Sequence, residues 1–186
     1  MKILNLVVLF VNMPYKLHKQ YRLPEFDYSS NNAYFITICT KERAHYFGEI
    51  SGEEMFYTDI GLYATELLES AGSKISHLKI SSFIVMPNHI HFLAIINNPE
   101  HENVECDRGI HPLIPKSISS FTNHFKGKVK RWCNENDYVF FEWQARFHDR
   151  IVRDRNEYFA IQNYIQNNVA TWAEDPENEL NTNFKR

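Results

Sequence analysis

His89 and His91 stand two positions apart in residues 81–96 (SSFIVMPNHIHFLAII), a stretch that is otherwise largely apolar. Side chains alternate faces along a strand, so in an extended chain both imidazoles point one way and Ile90 and Phe92 point the other. Apolar residues on both faces predict a strand buried on both sides. Two imidazoles side by side on a rigid strand make half of a metal site. The plainer alternative is a pair of core histidines that satisfy each other or the backbone. An imidazole left unpaired in that role costs about 1–3 kcal/mol, which favours metal binding. Pro87-Asn88 divides the apolar runs 78–86 and 89–96 and has turn chemistry. A tight antiparallel hairpin is expected, with the histidines at a sheet end that a substrate can reach.

Two histidines need at least one further ligand. Tyr164 and Asn168 are one helical turn apart in a segment whose Ile161, Ile165, Val169 and Trp172 recur at helical spacing. Asn168 could ligate and Tyr164 could act as a nucleophile, although an isolated tyrosine more often only packs. A second chemistry is phosphate binding. Lys116, Lys126, Lys128, Lys130 and Arg131 lie on or beside a segment that no acidic residue interrupts. They are either a solvated helix face or a phosphate track. The polar loop 97–115 carries His101, Cys106 and His111, but their spacing matches no familiar zinc pattern.

The elements that must position these residues follow from periodicity and caps. Residues 33–40 (AYFITICT) read as a buried strand, and 48–58 as a loop or short hairpin around Ser51-Gly52. Asp59 is placed to cap a helix running to about Lys74, with Ile60, Tyr63, Leu67 and Ala71 as its apolar stripe. A second helix is expected from Ser117 to about Cys133, on Ile118, Phe121, Phe125, Val129 and Trp132. Residues 138–143 (YVFFEW) predict a strand and 147–153 more extended chain. Asp154 and Glu157 have capping-box form ahead of a third helix, from about 157 to 172. Strand, helix, hairpin, helix, strand, helix is an α+β order. Its core is the split β-α-β arrangement of ferredoxin-like folds, an antiparallel sheet with helices on one face and with the first strand and the histidine strand central.

At 186 residues the chain reads as one domain, residues 15–173, with an extra N-terminal segment 1–14 and a loose polar tail 174–186. The run 3–11 is too short to span a bilayer as a helix, and no small-x-small cleavage site follows it. Met13 offers an alternative start, and an edge strand is the next alternative. No membrane association is expected. Net charge is −3, so any affinity for nucleic acid has to come from local basic patches. Cys39, Cys106 and Cys133 form no Cys-x-x-Cys pair, which fits a reduced, cytoplasmic compartment.

The run Met86-Pro87-Asn88-His89-Ile90-His91 resembles the His-hydrophobic-His motif of HUH single-tyrosine transposases, most nearly the REP-associated tyrosine transposases. Three more stretches match in the same order: Tyr28-Ser29-Ser30 with residues 33–37, then residues 143–153 (WQARFHDRIVR), then residues 164–168 (YIQNN). The resemblance covers roughly Arg22 to Trp172. One departure is Val169, where the family usually has proline after the asparagine; it would let the helix run on by a turn. The resemblance implies metal-dependent cleavage and joining of single-stranded DNA through a 5′-phosphotyrosine. Tyr164 is then the nucleophile, His89, His91 and Asn168 the ligands, and Mg²⁺ or Mn²⁺ the ion. The partner implied is DNA with single-stranded segments beside a hairpin. Lys116, Lys126, Lys128, Lys130 and Arg131, with Arg146, Arg150 and Arg153, are the DNA-binding candidates. Helix-to-sheet contacts in this family form within one chain or across a homodimer, and both remain open. Rival readings are a metallohydrolase that uses the His pair alone and a module that holds DNA hairpins without cutting them.

Overall fold

The computed structural model describes residues 26–101, 114–175, 177 and 178. The expected extra segment 1–14, the residues up to 25, Cys106 and His111 of the loop, and the tail beyond 178 lie outside the described residues.

Four strands form one antiparallel sheet: β1 (Ala33–Cys39), β4 (Leu78–Val85), β5 (His89–Ile96) and β6 (His148–Ile151), in the order β4-β5-β1-β6. A separate hairpin, β2 (Gly48–Ser51) with β3 (Glu54–Tyr57), precedes helix α1 (Asp59–Lys74). Helices α2 (Ile118–Glu135) and α3 (Arg155–Asn167) flank β6 in sequence. This is the expected ferredoxin-like topology, with β1 and the histidine strand β5 central. Tyr34, Ile36 and Ile38 of β1 join Ile90, Phe92, Ala94 and Ile96 of β5 in the main core, under α1 and α2. The two helices of the split β-α-β unit thus share one face. Helix α3, which follows that unit, covers the other face, where Ile161 and Ile165 pack on Leu93 and Val152.

Local chemistry accounts for the helix starts. Thr58 caps α1 by accepting from Gly61 N, so Asp59 is its first residue rather than its cap. Ser117 caps α2 through Ser120 N at 3.1 Å. Asp154 accepts from Asn156 N and Glu157 N, while Glu157 reaches back to Arg153 N at 2.7 Å.

Two further expectations are corrected. Residues 138–143 are not a strand; they form an irregular segment that meets the sheet by a single bridge, Thr40 to Trp143. The place beside β1 is taken by β6, which pairs with Tyr34 to Thr37. Scattered donors, in place of a neighbouring strand, satisfy its carbonyls and those just beyond: Lys41 N donates to Glu142 O at 2.9 Å and Tyr46 Oη to Phe140 O at 3.2 Å. Lys130 Nζ donates to Phe141 O at 2.6 Å and Lys126 Nζ to Gln144 O at 2.7 Å. Phe141 and Trp143 still enter the core, whereas Val139 and Phe140 stay exposed. Helix α3 also stops at Asn167 instead of continuing to Trp172, with Val169 present and no proline needed. Thr171 Oγ1 takes the Asn167 carbonyl at 3.1 Å and the chain turns into a short 3-10 segment, Trp172–Glu174.

Candidate active site

The histidine register fixes the site. His91 sits opposite Thr37 and His89 opposite Cys39, on the sheet face that α3 covers. Both imidazoles are buried. Asn88 Nδ2 donates to Glu177 O at 2.8 Å, which orients the amide so that Asn88 Oδ1 faces His89 Nδ1, also at 2.8 Å. His89 Nδ1 is therefore the protonated nitrogen, and Nε2 presents a lone pair. That Nε2 is buried without a hydrogen-bond partner. His91 Nδ1 lies 2.8 Å from Thr37 Oγ1, leaving its Nε2 3.3 Å from Tyr164 Oη.

The C-terminal end of α3 supplies oxygens. Asn168, the residue that ends the helix, is fully buried, and its Oδ1 has no hydrogen-bond partner. Its Nδ2 donates to Asp175 Oδ2 at 3.2 Å. Asp175 is buried too, and its other oxygen accepts from Glu177 N at 2.7 Å. His89, His91 and Asp175 each offer a ligand atom, and these atoms lie within 4.8 Å of one another. Two ring nitrogens, one of them unpartnered, with an unpartnered amide oxygen and a carboxylate, fit a divalent cation.

Electrostatics agree. Burial holds both imidazoles neutral: His91 is pushed down to about 3, with Arg43 and His148 contributing, and His89 falls well below the usual histidine range, with His91 and then Arg43 contributing. Burial raises Asp175 to about 6, against the lowering effect of Asn168 and Arg43. Neutral imidazoles can ligate without first losing a proton. The rings of Phe35 and Trp172 lie 5.2 Å from His91 and 6.0 Å from His89, walling the pair.

The structure brings His89, His91, Asn168 and Tyr164 together from two elements distant in sequence. It distributes the basic candidates differently. Arg150 lies on the site face, opposite Phe35, and is ion-paired with Glu157. Arg153 and Arg146 are exposed on either side of β6. Lys128 and Arg131 are exposed on α2, which packs on the opposite face of the sheet. Lys126 and Lys130 are committed to loop carbonyls, and Lys116 pairs with Glu100 at 3.4 Å. His101 faces Asp27 at 3.2 Å.

Sequence reasoning missed Asp175, Glu177 and Arg43. Residues 174–178 read as the start of a loose tail, yet Asp175 and Asn178 are buried, and Asn178 Nδ2 donates to Trp172 O at 3.0 Å. One carboxylate among several in a polar run has no periodicity to single it out.

No family model matches the chain. It is 33% identical over 162 residues to an uncharacterized protein of Haemophilus influenzae, covering 83% of this chain and 89% of that one. A solved structure of a REP-associated tyrosine transposase bound to a REP hairpin is similar, with TM-score 0.58 and 15% identity over 85% of this chain and 76% of that one. Among the described residues no helix is long and apolar enough to cross a membrane. The chain belongs to the family of the Haemophilus influenzae protein, and its fold is that of the REP-associated tyrosine transposases.

Proposed function

We propose that this protein cuts and rejoins single-stranded DNA, with Tyr164 as nucleophile. The observation that carries this reading is the 3.3 Å separation of Tyr164 Oη from His91 Nε2, the lone pair that the metal set would use. A phosphate held at the metal set would lie next to the phenol.

A divalent ion on His89, His91, Asp175 and Asn168 would supply Lewis acidity toward the scissile phosphate. Mg²⁺ and Mn²⁺ are the candidates, and the mixed nitrogen and oxygen donors suit Mn²⁺. The chain's own residues do the rest. Phe35 and His91 rings hold the Tyr164 ring edge-on, at 6.1 and 5.3 Å. Oη bonds to phosphorus as the bond to the 3′ oxygen breaks. The phenol gives up its proton and the departing 3′ oxygen gains one, leaving a free 3′-OH and a 5′-phosphotyrosine. The phosphate ester is kept, so a 3′-OH can reverse the step and join the strand. A phenol of pKa about 10 is mostly protonated at neutral pH, so its activation depends on this site.

Arg150, Arg153 and Arg146, on and beside β6, would contact phosphates along the strand. Lys128 and Arg131 would meet DNA that passes behind the sheet, as a flanking hairpin stem would. Lys126 and Lys130 act through the loop they hold, and Lys116 lies in a peripheral ion pair.

Wild-type protein with Mn²⁺ and hairpin-flanked single-stranded oligonucleotides should give a protein–DNA band that survives boiling in detergent. The label should map to the tryptic peptide 156–185, at Tyr164, and Tyr164→Phe should abolish it. A hydrolase would cut without the band, and a binding module would neither cut nor label. Cleavage by Tyr164→Phe at the wild-type rate would refute the assignment.

A further inference from the structure

The chain leaves β1 through Lys41-Glu42-Arg43 and does something costly. Glu42 and Arg43 both adopt left-handed backbone, at φ 54° and 57°. Neither is glycine, and two such residues in succession store about 1–2 kcal/mol each unless the surroundings require them. The consequence is the placement of the Arg43 side chain. Only 19% exposed, it ion-pairs with Glu177. Glu177 is the residue whose backbone N–H holds Asp175 and whose carbonyl holds Asn88. Arg43 is thus one ion pair away from the metal-ligating carboxylate. Its charge is also felt at His89, His91 and His148.

A fixed cation beside a divalent-cation site is unfavourable by itself, since like charges at close range repel. The placement makes sense when an anion sits between the two. Guanidinium is suited to that task, with planar paired donors that match phosphate oxygens. Resting on the proposed function above, we propose that Arg43 is the scissile-phosphate anchor, binding the non-bridging oxygens of the phosphodiester that Tyr164 attacks. Glu177 neutralises Arg43 while DNA is absent. None of the basic candidates identified from sequence occupies this position; Arg150, on β6, is committed to Glu157.

Charge coupling makes the test specific. Mn²⁺ binding is followed by calorimetry with and without single-stranded (dT)20, for wild type, Arg43→Gln and Arg43→Lys. In wild type, (dT)20 should tighten Mn²⁺ binding by ~5-fold or more, the low end of ordinary coupling between sites. Arg43→Gln should bind Mn²⁺ alone more tightly than wild type, because the Glu177 carboxylate beside the site then lacks its compensating cation. It should also lose the tightening by (dT)20 and lose most adduct formation. Arg43→Lys keeps the charge but not the fork, so it should retain wild-type affinity for Mn²⁺ alone and only part of the coupling. A merely structural Arg43 would give weaker Mn²⁺ binding in both variants, with a lowered melting temperature, and that result overturns the inference. Wild-type coupling in Arg43→Gln also overturns it. If wild type forms no adduct yet its metal–DNA coupling depends on Arg43, the nuclease reading fails and the phosphate anchor stands.

Discussion

Asp175 is a buried carboxylate kept in the fold at a cost, and Asp175→Asn exposes that cost. Its pKa rises from 3.8 to about 6. At one unit per about 1.4 kcal/mol, ionised Asp175 destabilises the metal-free fold by about 3 kcal/mol at pH 8. The sign follows from the direction. With its folded pKa raised, Asp175 supports the fold fully below about pH 4, and that support is lost as pH rises through 6. The amide substitute has no charge to desolvate. Its oxygen can keep the bond from Glu177 N, and its NH₂ can meet Asn168 Oδ1, which has no partner now, once the Asn168 amide turns over. In EDTA at pH 8 the variant should therefore be more stable than wild type by about 2 kcal/mol, or about 4–8 °C in melting temperature for a chain of this length. At pH 4 the two should coincide, because the depressed histidines destabilise both equally. Adding Mn²⁺ should reverse the order. Loss of a ligand should weaken binding by at least the ~10–100-fold that outer-shell changes cost, so the metal-dependent rise shrinks in the variant. Melting curves across pH, with and without Mn²⁺, read all of this. A variant less stable than wild type in EDTA at pH 8, or one with an equal Mn²⁺ rise, would refute the reasoning.

Other outcomes follow from single contacts. Thr37→Val removes the hydroxyl that holds His91 Nδ1 at 2.8 Å and should weaken Mn²⁺ binding by ~10–100-fold while the sheet stays intact, measured by calorimetry and circular dichroism. Lys126→Met preserves bulk over the Trp143 ring but strands the Gln144 and Arg146 carbonyls. Urea unfolding should show a loss of about 1–3 kcal/mol, whereas Lys128→Ala should stay within about 0.5 kcal/mol.

What the sequence made legible was whatever carried a period or a cap. The β5 run of apolar residues around two in-phase histidines located the central strand and the direction of the imidazoles. Asp154 with Glu157 located the start of α3 and hence the face on which Tyr164 and Asn168 stand. The failures were sites where side chains from elsewhere decided the outcome. Residues 138–143 have strand composition, yet Lys130, the Tyr46 hydroxyl and Lys41 N take the carbonyls that a partner strand would have taken. Strand propensity mostly reports fit to a pleated surface, and Phe141 and Trp143 find their burial without one. The segment after Asn168 failed for the opposite reason. Its order comes from scattered polar contacts to Asn88, Arg43 and Trp172, none of which has a spacing that a linear reading can detect.

That asymmetry has a dynamic consequence. His89 and His91 lie on a strand paired on both edges, to β4 and β1, and buried on both faces. Asn168 and Asp175 lie on a helix end and a non-repetitive turn, held by individual hydrogen bonds worth about 0.5–1.5 kcal/mol each. One half of the proposed ligand set is rigid before an ion arrives, and the other half is in the part of the fold that opens most easily. An ion that requires all of these donors must remove the openings that separate them, so its binding energy appears as protection of the weaker half. Hydrogen exchange with and without Mn²⁺ should show the amides of residues 168–178 slowed by ~10-fold or more at saturating metal, with those of β5 nearly unchanged. Equal slowing in both segments would mean that the ion stabilises the fold globally. Slowing confined to β5 would remove Asn168 and Asp175 from the ligand set.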